Sequence, residues 1–142
     1  MTDLRPATSD DAPAIAKIMQ DWLDETPWIP DLHTLDQTIG FCRNVLIGKY
    51  DTTVAGDPPT GFISVEPDQS IAALYVAPTG RGTGTALLKH AMAHHDRLEL
   101  WVFQANTDAI RFYDRHGFSE IRRTDGADND EKLPDIRMGW QA

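Results

Sequence analysis

Three glycines in one short turn give the clearest indication of chemistry in this chain. Gly80, Gly82 and Gly84 lie between an apolar, strand-like run at residues 71–76 and a helical segment. Because glycine has no side chain, a ligand can approach this backbone closely. Successive N–H groups of residues 82–86 can then converge on an anion at the positive end of the helix. The pattern predicts a pyrophosphate-binding turn.

Two common phosphate-binding motifs do not fit this turn. No Gly-Lys-Ser/Thr follows it, which excludes a P-loop. The spacing G-x-G-x-x-G is absent, and the preceding strand does not begin a doubly wound sheet, which excludes a dinucleotide fold. The cofactor must therefore be identified from other residues.

A second block begins about twenty residues after the turn and reads N-x-x-A-x-x-F-Y-x-x-x-G-F, from Asn106 to Phe118. It follows a predicted strand at residues 98–102, and Asn106 or Thr107 can cap the helix that it predicts. Ala109, Phe112 and Tyr113 have i, i+3, i+4 spacing, which predicts that they share one helix face.

Together the two blocks resemble the GCN5-related N-acetyltransferases, the GNAT family. Arg81, Gly84 and Ala86 match the R-x-x-G-x-A motif with which that family wraps the pyrophosphate of coenzyme A. The second block resembles the other half of the family's core. The resemblance implies an α+β fold, with one central, mostly antiparallel mixed sheet flanked by about four helices.

The resemblance also implies acetyl-CoA as co-substrate and assigns roles to residues. The backbone of residues 74–76 would pair with the pantetheine arm, and one of its N–H groups would stabilise the developing oxyanion. Tyr113 would protonate the leaving thiolate; the alternative is a core aromatic without a chemical role. The implied cofactor contacts are Leu74, Tyr75, Val76, Arg81, Gly82, Thr83, Gly84, Thr85, Ala86, Asn106, Ala109, Phe112 and Tyr113.

The general base is not apparent in the sequence. Many family members carry a glutamate on the strand before the turn, whereas residues 71–76 contain no acid. Glu66, at the end of the preceding strand, is our first choice, acting through water. His33 or Asp31 could act in the same way, and all three also fit an ordinary solvated surface.

The acceptor site is expected near the first two helices and the loop before the last strand. Trp28, Asp31 and His33 are the predicted contacts, since carboxylates bind an ammonium group and indoles add cation–π contact. Trp22 could join them, although its helical spacing favours core packing. The acidic loop at residues 125–131 is either a lid or a solvated turn, and we favour the turn.

The remaining pattern predicts the elements that must position these groups, in the order βααβββαβαββ. With 142 residues the chain is expected to form a single domain, residues 1–142. Cys42 lies in an apolar helical run and is expected in the core. His90 and His94 are four residues apart but lack an evident third ligand, so we expect no metal site.

Charge and hydropathy limit the partners. Thirteen basic and 22 acidic residues give a net charge of −9 without a basic patch, which argues against nucleic acid. No stretch has the apolar length of a membrane span or secretion signal, so a cytoplasmic protein is expected. The family resemblance implies a monomer or a homodimer, and the sequence does not choose between them.

The sequence thus predicts an acetyl-CoA-dependent N-acetyltransferase acting on a small-molecule or protein amine. A non-catalytic acyl-CoA-binding or sensor domain remains the alternative, because the strand acid is missing. A pure interaction module would not need the glycine turn.

Overall fold

The computed structural model describes residues 3–142, and the predicted element order is confirmed. A 3-10 turn (Ser9–Asp11) precedes α1, and a π-helical segment (Cys42–Ile47) continues α2. The elements are β1 (Leu4–Pro6), α1 (Ala12–Asp24), α2 (Leu35–Phe41), β2 (Asp51–Ala55), β3 (Gly61–Val65), β4 (Ser70–Val76), α3 (Thr83–His94), β5 (Arg97–Phe103), α4 (Thr107–Arg115), β6 (Ser119–Thr124) and β7 (Asp135–Gln141).

One seven-stranded sheet organises these elements, in the order β1-β2-β3-β4-β5-β7-β6. Every neighbouring pair is antiparallel except β4 and β5, which are parallel. The predicted α+β fold, with a mostly antiparallel mixed sheet and four helices, is therefore confirmed. Among residues 3–142, no helix is both long enough and apolar enough to cross a bilayer.

Helices cover the two faces of the sheet unequally. On one face, α3 and α4 pack over a core that extends from β2 to β7 and includes Leu88, Leu100 and Met138. On the other face, α1 and α2 form a smaller core whose sheet residues end at Ala73 of β4. The buried Cys42 belongs to this smaller core, as expected, and burial raises the pKa of its thiol to about 11. Neither core covers the second face of β5, β7 and β6.

The parallel contact between β4 and β5 is unusually short. Only two residue pairs form it, Ser70 with Glu99 and Ile71 with Leu100. Directly after them, β4 has a bulge: Ile71 pairs with Val65 and Ala73 with Ser64, so Ala72 is the extra residue. A bulge bends its strand. The two strands consequently diverge from this point toward their carboxyl ends.

Side-chain hydrogen bonds join the strands at the point where β4 and β5 are still paired. Arg137 of β7 donates from Nε to Glu99 Oε1 at 3.0 Å and from an Nη to Ser70 Oγ at 2.9 Å. The Arg137 side chain is mostly buried, at 16% exposure. One guanidinium therefore joins β7, β5 and β4 at the junction from which the strands separate.

Substituting Arg137 tests this junction. Arg137→Met should lower the free energy of unfolding by about 1–2 kcal/mol, because it removes charge-assisted bonds from a mostly buried site. Denaturant titration measures this, and hydrogen exchange should be faster at residues 70–71 and 99–100.

Arg97→Met is the matched control. Arg97 pairs with the same Glu99, but its side chain is half exposed, so the change should be within about 0.5 kcal/mol. Equal effects of the two substitutions would show that Arg137 is not what joins the strands.

Candidate active site

Where β4 and β5 separate, they leave a cleft of about 390 Å³. Residues 71–76 form one wall and residues 100–103 the other, while α4 closes the cleft through Ala109, Phe112 and Tyr113. Beyond Ile71, the backbone groups of β4 that face β5 have no ladder partner within residues 3–142. Buried backbone groups need hydrogen-bond partners. An extended ligand lying between the strands would supply them.

The mouth of the cleft is the amino end of α3. Gly82 is the N-cap, with a φ of +78° that glycine adopts without strain. Among the residues that the structure describes, no side chain caps this helix or α1, whereas Thr34 caps α2 and Asn106 caps α4. The first N–H groups of α3 are thus left for a ligand, and a helix amino end favours an anion.

Space at the turn also suits a pyrophosphate. A Cβ added at Gly80 or Gly82 would meet no atom within 4 Å, so the backbone is open. Gly84 faces Phe112, whose Cζ would lie 3.6 Å from such a Cβ. Thr83, Thr85 and Ala86 occupy the first turn of α3. Arg81 is exposed and forms no ion pair within the described part of the chain. These residues therefore fit the phosphates of coenzyme A.

Tyr113 reaches the cleft from α4. Its ring is 8% exposed and packs edge-on against Phe112, with centroids 5.3 Å apart, and against Phe118 at 5.4 Å. Its hydroxyl forms no hydrogen bond to any group of residues 3–142, and burial, followed by the nearby Tyr75, raises its pKa. The phenol therefore stays protonated at neutral pH and can donate a proton.

A row of aromatic rings crosses the cleft on the face opposite α3 and α4. Trp22 packs on Tyr75 at 5.5 Å and on Trp28 at 6.0 Å, and Trp28 packs on Phe103 at 5.9 Å. Because the row joins β4 to β5 across the gap, the cleft has an aromatic wall. Trp22, for which core packing was favoured, is half-buried and lines the cleft.

A second pocket of about 390 Å³ adjoins the first and shares Trp101, Val102 and Phe103 with it. The loop between β6 and β7 forms its other side, through Asp128 and Glu131. This loop, for which a solvated turn was favoured, is therefore a pocket wall. The loop faces one end of the aromatic row, because Phe103 lines this pocket too. Burial, followed by the charge of Glu131, raises the pKa of Tyr75 to about 12.

Three residues predicted for catalysis or acceptor binding lie elsewhere. Glu66 follows β3 at the hairpin turn, beside Tyr50, whose pKa is raised by burial and then by the Glu66 charge. Glu66 does not line the cleft. Asp31 and His33 are exposed in the connection from α1 to α2, and Asp31 accepts a bond from Gln20. The structure thus brings the predicted cofactor residues together but leaves Glu66 apart from them.

Sequence reasoning missed Trp101 and Phe103. The alternation of residues along β5 could have predicted their position. Leu98, Leu100 and Val102 point into the core, so the residues between them must face the other side of the sheet. Trp101 is 43% exposed. Together with Phe103 it lines both the cleft and the pocket beside it.

The histidines of α3 lie in a different pocket, between α3 and β1–β2. The rings of His90 and His94 are 4.4 Å apart there. Among residues 3–142, no three His, Cys, Asp or Glu side chains are arranged to hold a metal ion.

Comparison with known proteins agrees with this architecture. Residues 3–118 match the family described as Acetyltransferase (GNAT) family. The peptidyl-lysine N-acetyltransferase YiaC of Escherichia coli (strain K12) is 31% identical over an alignment of 145 positions, which covers 96% of this chain and 95% of that protein.

Solved structures show the same fold. The solution structure of apo-form YjaB from Escherichia coli aligns with a TM-score of 0.79, at 22% identity over 99% of this chain and 97% of that one. The structure of yncA from Salmonella typhimurium with its cofactor acetyl-CoA has a TM-score of 0.75, at 18% identity over 99% of this chain and 94% of that one. The glycine turn, the cleft and these relationships together lead to one conclusion: the chain belongs to the GNAT family of acetyltransferases.

Proposed function

We propose that this protein is an acetyl-CoA-dependent N-acetyltransferase that transfers an acetyl group to a primary amine. The observation that carries the proposal is the cleft between β4 and β5, with an uncapped helix at its mouth and the Tyr113 hydroxyl in its wall. The E. coli relative is named for peptidyl-lysine. A protein lysine is therefore the acceptor that we favour over a small-molecule amine.

Binding rests on the turn and on the β4 backbone. The pyrophosphate is held by the N–H groups at the start of α3 and by the Arg81 guanidinium. The helix end has a partial positive charge and the guanidinium a full one, and both attract the anionic phosphates at the mouth of the cleft. The unpaired backbone groups of β4 hold the pantetheine arm as an added strand would be held. Binding in this mode directs the thioester toward the point at which β4 leaves β5.

Three groups act on the thioester. A backbone N–H of residues 74–76 stabilises the negative charge that develops on the carbonyl oxygen, an effect worth about 3 kcal/mol per donor. Direct attack of the amine in a ternary complex then gains from proximity. Tyr113 donates its proton to the departing sulfur, since a phenol whose ordinary pKa is about 10 is protonated at neutral pH.

The amine must lose a proton before it attacks. Glu66 is too poorly placed for this role, and the one carboxylate of the cleft lining, Asp108, is paired with Arg111 at 2.6 Å. Glu131, in the wall of the second pocket that adjoins the cleft, is the acid that we assign instead, acting through water. Its charge also attracts the ammonium form of the acceptor toward the second pocket.

The second candidate is a domain of the same fold that binds acyl-CoA without turnover. The absence of any acid from residues 71–76 favours it. It differs from the enzyme in one measurable respect, since it releases no free thiol when an amine is supplied.

The pyrophosphate turn is tested by calorimetry with acetyl-CoA and a substitution at Gly84. Gly84→Glu should raise the Kd at least about tenfold, because a fixed carboxylate at the amino end of α3 repels the phosphates. Gly84→Gln, of the same size without the charge, should bind more tightly than the Glu variant.

Gly84→Ala is the control for backbone effects. It should weaken binding less than Gly84→Gln does, because its Cβ fits at 3.6 Å from Phe112 and adds the least bulk beside the phosphates. A wild type that binds no acetyl-CoA would refute the proposed function as a whole.

Tyr113→Phe tests the proton donor. The kcat should fall about 100-fold, since general acid catalysis supplies roughly that factor, while the Kd for acetyl-CoA should stay the same. Thiol release and calorimetry measure the two quantities. Tyr50→Phe, directly before β2 and outside the cleft, is the matched control and should leave both unchanged. Unaltered turnover in the Tyr113 variant would remove this tyrosine from the mechanism.

A further inference from the structure

The uncovered face of β5, β7 and β6 bears a row of three side chains beside the second pocket. Trp101 pairs with Arg137, and Arg137 pairs with Arg122, so the three lie side by side across the strands. Both guanidinium carbons lie over the Trp101 ring, at 5.0 Å for Arg122 and 5.4 Å for Arg137. One exposed indole thus orients two arginines.

The two arginines differ in what else they contact. Arg137 is mostly buried and its N–H groups are engaged by Glu99 and Ser70. Arg122 is exposed and forms no ion pair within the described residues. Stacking on the indole holds its guanidinium while the N–H edges stay free, and such an edge matches a carboxylate in bidentate fashion.

Arg122 lines the same pocket as Asp128 and Glu131. Neither acid forms an ion pair within residues 3–142, so opposite charges share this cavity without neutralising each other. A ligand that carries both an ammonium and a carboxylate group would complement both sets. The pocket also meets the transfer cleft at Trp101 and Phe103, so a ligand here lies next to the proposed reaction site.

We propose that Arg122 is a specificity-determining residue that binds a carboxylate next to the reacting amine. The acceptor class is then a peptide lysine with an acidic residue beside it: its ammonium group meets the acids of the loop and its carboxylate meets Arg122. This inference rests on the proposed N-acetyltransferase function. With a net charge of −9, the protein as a whole repels acidic peptides. A preference for an acidic peptide therefore requires a local positive charge, which Arg122 supplies.

Peptide competition tests the inference. Three peptides that differ only in the residues beside one lysine (glutamate, glutamine or arginine) are compared by kcat/KM with acetyl-CoA. The wild type should prefer the glutamate peptide over the glutamine peptide by about five- to tenfold, as a charge-assisted pair in a half-open pocket would give. Arg122→Gln should abolish this preference, and Arg122→Glu should shift it to the arginine peptide. The preference of the wild type should also shrink as salt rises.

Arg123→Gln is the matched control. Arg123 adjoins Arg122 on β6 but pairs with Glu120 and does not line the pocket, so its variant should keep the wild-type preference. Equal rates for all three peptides, or a preference that survives in Arg122→Gln, would overturn the inference while leaving acetyl transfer established. If the wild type acetylates a small-molecule amine but none of the peptides, the inference and the choice of a protein lysine are overturned, whereas N-acetyl transfer stands.

Discussion

The parallel contact between β4 and β5 is the constraint on which the rest of the site depends. Two adjacent strands normally satisfy each other's backbone along their length. Here they pair at two positions only, and the bulge at Ala72 then bends β4 away. The sheet therefore continues through one short junction, and its divergent part must find hydrogen-bond partners elsewhere. This single irregularity opens the cleft and leaves free the β4 backbone groups that, under the proposed function, pair with the cofactor.

Such an opening would weaken the sheet if nothing reinforced it. Arg137 joins three strands at the closed end, and the aromatic row from Tyr75 to Phe103 spans the open end. The first is a charge-assisted network in a mostly buried place, and the second is an apolar contact with water on one side. Side chains thus bridge the strands at both ends of the cleft, and its interior stays open for the proposed cofactor.

The unequal coverage of the sheet separates the functions of its two faces. On one face, α3 and α4 supply the phosphate turn and the proposed proton donor, and both are positioned by the larger core. The other face lacks a helix over β5, β7 and β6, which leaves Trp101 and Arg122 exposed beside the loop acids. Cofactor and acceptor would thus approach from opposite faces and meet where the strands part. The absence of an acid on β4 fits this division, since the loop carries the carboxylates instead.

The local sequence pattern determined the secondary-structure elements of this protein and part of its candidate site. Glycine spacing, the Asn106 cap and the face shared by Ala109, Phe112 and Tyr113 depend on neighbours within a few residues, and these features, with the element order, were predictable. Whether Glu66 or Glu131 lies near the cleft depends instead on which strands are adjacent and how the β6–β7 loop folds back. The bulge at Ala72 and the stacking of Arg122 on Trp101 likewise join residues far apart in the chain. Such contacts arise from sheet order and register, which short-range spacing does not encode, so only the tertiary structure decided them.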